Sequence, residues 1–286
     1  MSARNGPSNS CVLVDRIGVD GGTTVDVFGT AANEVLPTWV KAILGLVVIG
    51  VDSVFTAAEG HSGNLRLNSK SLGISNENFA VGDYVTSGPA TNSSGQAAVA
   101  EIIPLDITTG GGETLSIDVA PTGTSTAAVK YEIGFLISND PSGIPAAWKE
   151  AFPNPMPFRG GALSDATQLT TTRTALTAMV IPAYASAIVA YKAAIVKTGA
   201  ITTAEYGTGY FDLQNDMSLS PLLLPTTFGT GATLGTPVGT GQSASRVPYI
   251  PIYIPLDGKV HTYTPNIVLR NAITTANKVM LALAYR

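Results

Sequence analysis

Apolar and polar positions alternate along much of this chain, in short segments cut apart by Gly, Pro, Asn and Asp. A period of two places successive side chains on opposite faces, so each segment predicts a half-buried β-strand. In the first part of the chain these are Cys11–Val14, Thr24–Phe28, Asn64–Leu67, Phe79–Tyr84, Ala97–Leu105, Glu113–Val119 and Ala128–Ile137. In the second part they are Leu176–Ile181, Ala187–Val196, Gly209–Leu213, Val247–Leu256, Tyr263–Leu269 and Lys278–Tyr285. Trp39–Phe55 is rich in Val and Ile and supplies apolar strand material, of which Trp39–Val51 reads as a buried strand pair or one long strand. Its most hydrophobic part, Trp39–Val51, contains Lys41 and falls short of the ~20 residues that span a bilayer. No amphipathic helical run lies where a parallel sheet would need a crossover, so the expected class is all-β.

The pattern repeats. Ile103-Pro104-Leu105-Asp106 returns as Ile254-Pro255-Leu256-Asp257, and Thr114–Phe135 lies on Thr264–Tyr285 without a gap at a shift of 150 (264 minus 114). Upstream, Thr56-Ala57-Ala58-Glu59 with Gly63, Leu65 and Leu67 matches Thr202-Thr203-Ala204-Glu205 with Gly209, Phe211 and Leu213 at a shift of 146. Ala42-Ile43 matches Ala187-Ile188 at 145. A unit of about 110–145 residues is too long for a solenoid and predicts two tandem domains. About eight short strands per unit fit a sandwich or jelly roll. The expected division is an arm over 1–10, a first jelly roll over 11–138, a linker over 139–161 and a second jelly roll over 162–286. Five prolines crowd that linker, and Ala146–Phe152 predicts about two helical turns between Pro145 and Pro153. Thr227–Ser243, rich in Gly and Thr, predicts a long exposed loop.

Composition narrows the function. Across 286 residues only 13% are charged and 45% are hydrophobic, and the net charge is -4. With no run of Lys and Arg, direct sequence-specific binding of nucleic acid is not expected. Met1–Asn9 has no apolar core, so it does not read as a secretory signal. Cys11 is the only cysteine, which excludes an internal disulfide and a zinc cluster built on cysteines.

Catalytic groups are scarce. His61 and His261 are the only histidines, and both read as solvated turn residues rather than members of a triad or a cupin-type metal site. Asp106 and Asp257 recur, as do Glu59 and Glu205, and recurrence favours a structural job in each unit over a converging catalytic pair. Gly110-Gly111-Gly112 does not continue into a phosphate loop, and Asn92-Ser93-Ser94 satisfies a glycosylation sequon that matters only in an exported chain. No catalytic, cofactor-binding or metal residues are expected, no cofactor, and no enzymatic activity.

Two tandem eight-stranded units, an N-terminal arm, a proline-rich linker and long Gly/Thr loops resemble the double jelly-roll major capsid proteins of icosahedral viruses of bacteria and archaea, many with an internal membrane. The resemblance is one of architecture over nearly the whole chain. It implies a self-assembling structural protein of the virion, forming trimers whose six barrels tile a shell as pseudo-hexamers. The implied partners are further copies of itself, minor capsid proteins, and an internal lipid membrane reached by the arm. Two other classes fit the sequence: another structural subunit of a tail, spike or surface layer, and a secreted carbohydrate-binding or adhesive protein.

Overall fold

The alternating segments become strands. The computed structural model describes residues 12–13, 17–21, 28–52, 60–85, 101–123, 129–140, 157–167, 173–197, 205–215, 222–230, 249–270 and 277–286. The first half holds β1 (Val12–Leu13), β2 (Ile17–Gly21), β3 (Ala32–Val35), β4 (Ala42–Asp52), β5 (Gly60–Ser69), β6 (Ile74–Val85), β7 (Glu101–Thr108), β8 (Thr114–Gly123) and β9 (Val129–Ser138). The second holds β10 (Gly160–Thr167), β11 (Thr174–Ala175), β12 (Met179–Ile181), β13 (Ala187–Lys197), β14 (Glu205–Asn215), β15 (Leu222–Thr230), β16 (Ile250–Pro255), β17 (His261–Leu269) and β18 (Asn277–Tyr285). The described residues are all-β, and every ladder between named strands is antiparallel.

The strands form four sheets. Sheet 1 runs β1-β9-β4-β7, with β2 also on β9, and sheet 2 runs β3-β8-β5-β6. Sheet 3 runs β10-β18-β13-β16, and sheet 4 runs β11-β17-β14-β15, with β12 also on β17. Within the first half, Ile43, Leu46, Ile133 and Phe135 of sheet 1 bury against Leu65, Leu67, Ile117 and Val119 of sheet 2. Within the second, Ile188, Tyr191 and Leu283 of sheet 3 bury with Phe211, Leu213 and Ile267 of sheet 4. Each such side chain taken from water contributes about 1.5–3 kcal/mol, which is why the period of two decides the fold.

Ladder register carries the repeat from the matched strands to their partners. Ile43 pairs with Ile137 and Ile188 with Tyr285, each just before a slip in pairing, at Ile43/Gly45 and at Ile188/Ala190. Equating them lays β9 on β18 at a shift of 148 (285 minus 137), two residues less than the sequence match. The pairs Leu65 with Val119 and Phe211 with Ile267 give β8 on β17 the same 148 (267 minus 119). A two-residue slip keeps every side chain on its face, so alternation is blind to it.

The repeated tetrapeptide is also out of place. Gly45 pairs with Pro104, and its counterpart Ala190 pairs with Pro251, so Pro104 corresponds to Pro251 and Asp106 to Tyr253. The second copy, centred on Pro255, therefore lies four residues further along (255 minus 251). Ile103 and Leu105 are fully buried within β7, whereas Asp257 follows β16.

Other expectations shift locally. Among the described residues of Trp39–Phe55, a single strand forms, β4. β5 starts four residues before the expected strand Asn64–Leu67, so that His61, expected in a turn, lies within it, and Thr227–Thr230, expected in the Gly/Thr loop, ends β15. Leu176–Ile181 divides, because only Met179–Ile181 pairs as a strand there while Leu176 donates its N–H to the Pro265 carbonyl at 2.8 Å. At the end of the expected linker, Phe158 makes an isolated parallel bridge with Leu105 and β10 starts at Gly160. The helix expected over Ala146–Phe152 lies outside the described residues, as do Cys11, Glu59 and Asn92.

Candidate functional site

The two halves meet through sheets 2 and 3. Ala80 on the outer face of β6 is fully buried with Met280 and Ala282 of β18, and Ala187, Val189, Ala190 and Ala284 join the core of the first half. Small residues let two strands come close. At Gly160 and Gly161 the approach is closest, since a Cβ at either would stand 2.3 Å from an oxygen of β6, Glu77 Oε2 and the Asn78 carbonyl respectively. Tyr249 seals one side, its hydroxyl accepting the Ala80 N–H at 2.9 Å and its ring lying 5.0 Å from that of Phe158. Lys192, wholly buried on the same face, holds its ammonium 5.9 Å from the Tyr249 ring.

Glu77 is the polar centre of this junction. It sits on β6, only 5% exposed, and every hydrogen bond given to its carboxylate comes from the second half. The Gly161 N–H donates to Oε2 at 3.0 Å, the Tyr285 hydroxyl donates to Oε2, and the Tyr184 hydroxyl donates to Oε1. A buried carboxylate is costly unless its lone pairs are met, and here three donors meet them. Burial, followed by the hydrogen bond to Glu77, pushes the Tyr184 hydroxyl up to about 12. Burial and then the Glu77 charge push Tyr285 higher still. Both tyrosines therefore remain donors at any ordinary pH. The Arg159 guanidinium lies over the Tyr184 ring at 5.6 Å. A cleft of about 640 Å3 opens beside the carboxylate, lined by Glu77, Asp106, Arg159, Tyr184, Ser186 and Arg286 among others.

The residues singled out in the sequence do not converge here. His261 is not a solvated turn residue: it opens β17, is 1% exposed, and its Nε2 lies 2.8 Å from Asp257 Oδ1. Asp257 does shape a turn, accepting the Lys259 N–H at 3.2 Å, and bonding to Lys259 holds its carboxyl below the usual range. Asp106 instead lies inside β7, where its N–H donates to the Phe158 carbonyl at 2.9 Å. The Gly110–Gly112 segment is a turn with Gly111 at φ 87°, pinned by Glu113, which accepts the Gly110 N–H at 2.7 Å. Among the described residues no three His, Cys, Asp or Glu side chains gather as a metal site would require. Sequence reasoning passed over Glu77, Tyr184 and Tyr285, because nothing local marks a carboxylate that is satisfied by donors 84 to 208 residues away.

Two sheet faces remain outside this junction. By the ladder equivalence, sheet 4 corresponds to sheet 2, and its outer face carries Tyr210, Leu223 and Pro225 where sheet 2 carries Asn64, Asn78 and Ala80. Tyr210 and Leu223 are 37% and 52% exposed. Sheet 1 corresponds to sheet 3, and Glu132, Gly134 and Leu136 stand where Met280, Ala282 and Ala284 make the contact between halves. So each half repeats both faces of the junction, and one of each is not used in it.

No protein-family model matches the chain, and no curated protein matches it. Among solved structures it is similar to a recombinant N-glycanase F, PNGase F, at 10% identity and a TM-score of 0.43, over 94% of this chain and 95% of that one. PNGase F from Flavobacterium meningosepticum, described as a glycosylasparaginase, matches at 11% identity and a TM-score of 0.41, over 95% and 96%. The stem and receptor-binding domain of spike protein P1 from bacteriophage PM2 matches at 8% identity and a TM-score of 0.21, over 100% of both chains. The first two correct one expectation. That the chain is not an enzyme does not stand, because structures of an enzyme match it over nearly its whole length. At these identities and scores the likeness transfers no substrate, activity or residue.

Proposed function

We propose that this chain is a structural subunit that assembles with copies of itself, and that each half is a jelly roll in a double jelly-roll major capsid protein. The strand orders support the jelly-roll reading: β2-β9-β4-β7 opposite β3-β8-β5-β6 in one half, and β10-β18-β13-β16 opposite β11-β17-β14-β15 in the other. One observation carries the assembly reading. The contact inside the chain joins the outer face of sheet 2 to that of sheet 3, and the equivalent faces, sheets 4 and 1, take no part in it. A surface that repeats the same contact between copies is heterologous, and it closes into a ring if the rotation closes. Three copies would then place six barrels in one ring, the pseudo-hexagonal tile of the capsid proteins it resembles. Exposed Tyr210 and Leu223 on the unused face suit a contact that must exclude water.

The virion shell is the site of action on this reading. Partners are further copies, with minor capsid proteins and an internal membrane as secondary ones. Electron microscopy of the purified protein distinguishes the alternatives. Flat hexagonal tiles or closed shells are expected. Fibres or a tail-like stack would replace the capsid reading by another structural subunit, and a stable monomer retained on immobilised glycans would replace it by an adhesive protein.

A further inference from the structure

The edges of sheets 1 and 3 are finished differently. In sheet 1 the edge strand β7 is covered: the Phe158 N–H donates to the Pro104 carbonyl and the Asp106 N–H donates to the Phe158 carbonyl, both at 2.9 Å. Pro104, Leu105 and Phe158 are all buried there. Register places Pro251, Ile252 and Tyr253 of the edge strand β16 at the positions of Pro104, Leu105 and Asp106. There Pro251 is exposed, Ile252 is half-buried and Tyr253 is 65% exposed. The bulge is the same and the backbone groups are the same, but the cover is absent from β16 among the described residues.

The chain that covers β7 is the one entering the next half. Phe158 lies two residues before Gly160, which pairs with Tyr285, while Val12 pairs with Ile137 at the equivalent point of the first half. Gly160 therefore corresponds to Val12, Phe158 to Ser10, and Arg159 to Cys11, all at the shift of 148 (160 minus 12). In a ring that repeats the junction between copies, the segment entering the first half of one copy passes the β16 edge of its neighbour.

The geometry points to the β16 edge as the docking site for the segment before Val12 of an adjacent copy, with Ser10 bridging Pro251 and Tyr253 as Phe158 bridges Pro104 and Asp106. The inference rests on the assembly reading above and deepens it by naming a strand-edge contact that links copies. One added bridge is all this edge accepts, because Pro251 and Pro255 have no N–H to offer a longer partner strand. The contact would tie successive subunits by main-chain bonds, whatever side chains the segment carries.

The native Cys11 makes this testable. Parallel neighbours lie within the Cα separation that a disulfide needs, and Cys11 would stand beside position 253 of the next copy. The variant Tyr253→Cys, purified at its native oligomeric size and treated with a mild oxidant, is expected to run as covalent dimers and trimers on a non-reducing gel. Lys70→Cys, on an exposed turn of the first half, and the double variant Tyr253→Cys with Cys11→Ser are expected to stay monomeric on that gel. Assembled Tyr253→Cys that links no faster than Lys70→Cys overturns the docking proposal and leaves the assembly reading intact. Protein that is monomeric before oxidation overturns both.

Discussion

Replacing Glu77 by leucine is expected to lower stability by about 3 kcal/mol, because one acceptor is removed while the donors that faced it remain buried. Each orphaned donor costs roughly 1–3 kcal/mol, with Tyr184 at the low end since water reaches its half-exposed ring. For a chain of this size the thermal midpoint should fall by about 6–12 °C. The double variant Glu77→Leu with Tyr285→Phe should recover part of that loss, as it takes away the most deeply buried orphan. Thermal unfolding followed by circular dichroism measures both. If Glu77→Leu melts with the parent, Glu77 does not hold the halves together.

The second large effect concerns copies rather than halves. Tyr210→Glu combined with Leu223→Glu places two carboxylates on the outer face of sheet 4, where the assembly reading puts a neighbour's sheet 1. An unpaired charge desolvated at an interface costs several kcal/mol, so association should weaken by at least ~100-fold. The fold should not notice, because both side chains are exposed and such changes are usually within about 0.5 kcal/mol. Loss of the oligomer with an unchanged melting curve is the expected result. Oligomer that persists at the parent's concentration would remove sheet 4 from the interface.

Much of the fold was legible from alternation alone. The inward positions of β5, β8, β9 and β17 read directly from their apolar residues, since burying those side chains is the largest favourable contribution to folding. By contrast, β4, β13 and β18 are apolar and buried on both faces and do not show which face is inward. The duplication was legible too, but not its register. Two residues of slip in β8 and β9 leave all faces unchanged, and the Ile-Pro-Leu-Asp copies matched in sequence while standing four residues apart in structure. Strand limits failed where Gly and Thr served as strand residues, in Gly60–Gly63 and Thr227–Thr230. His261 was misread because its proximity to a turn said nothing of its burial at the start of β17. Glu77 was invisible for a different reason: its partners come from β10, the turn before β13, and β18, and only the docking of the two halves brings them together.

Repetition of that docking between copies is the basis of the functional reading, and solution mass tests the repetition most directly. The account predicts a discrete species at three times 29.4 kDa by light scattering at micromolar concentration, larger assemblies above it, and no stable monomer. A single monodisperse species at 29.4 kDa across that range would contradict it.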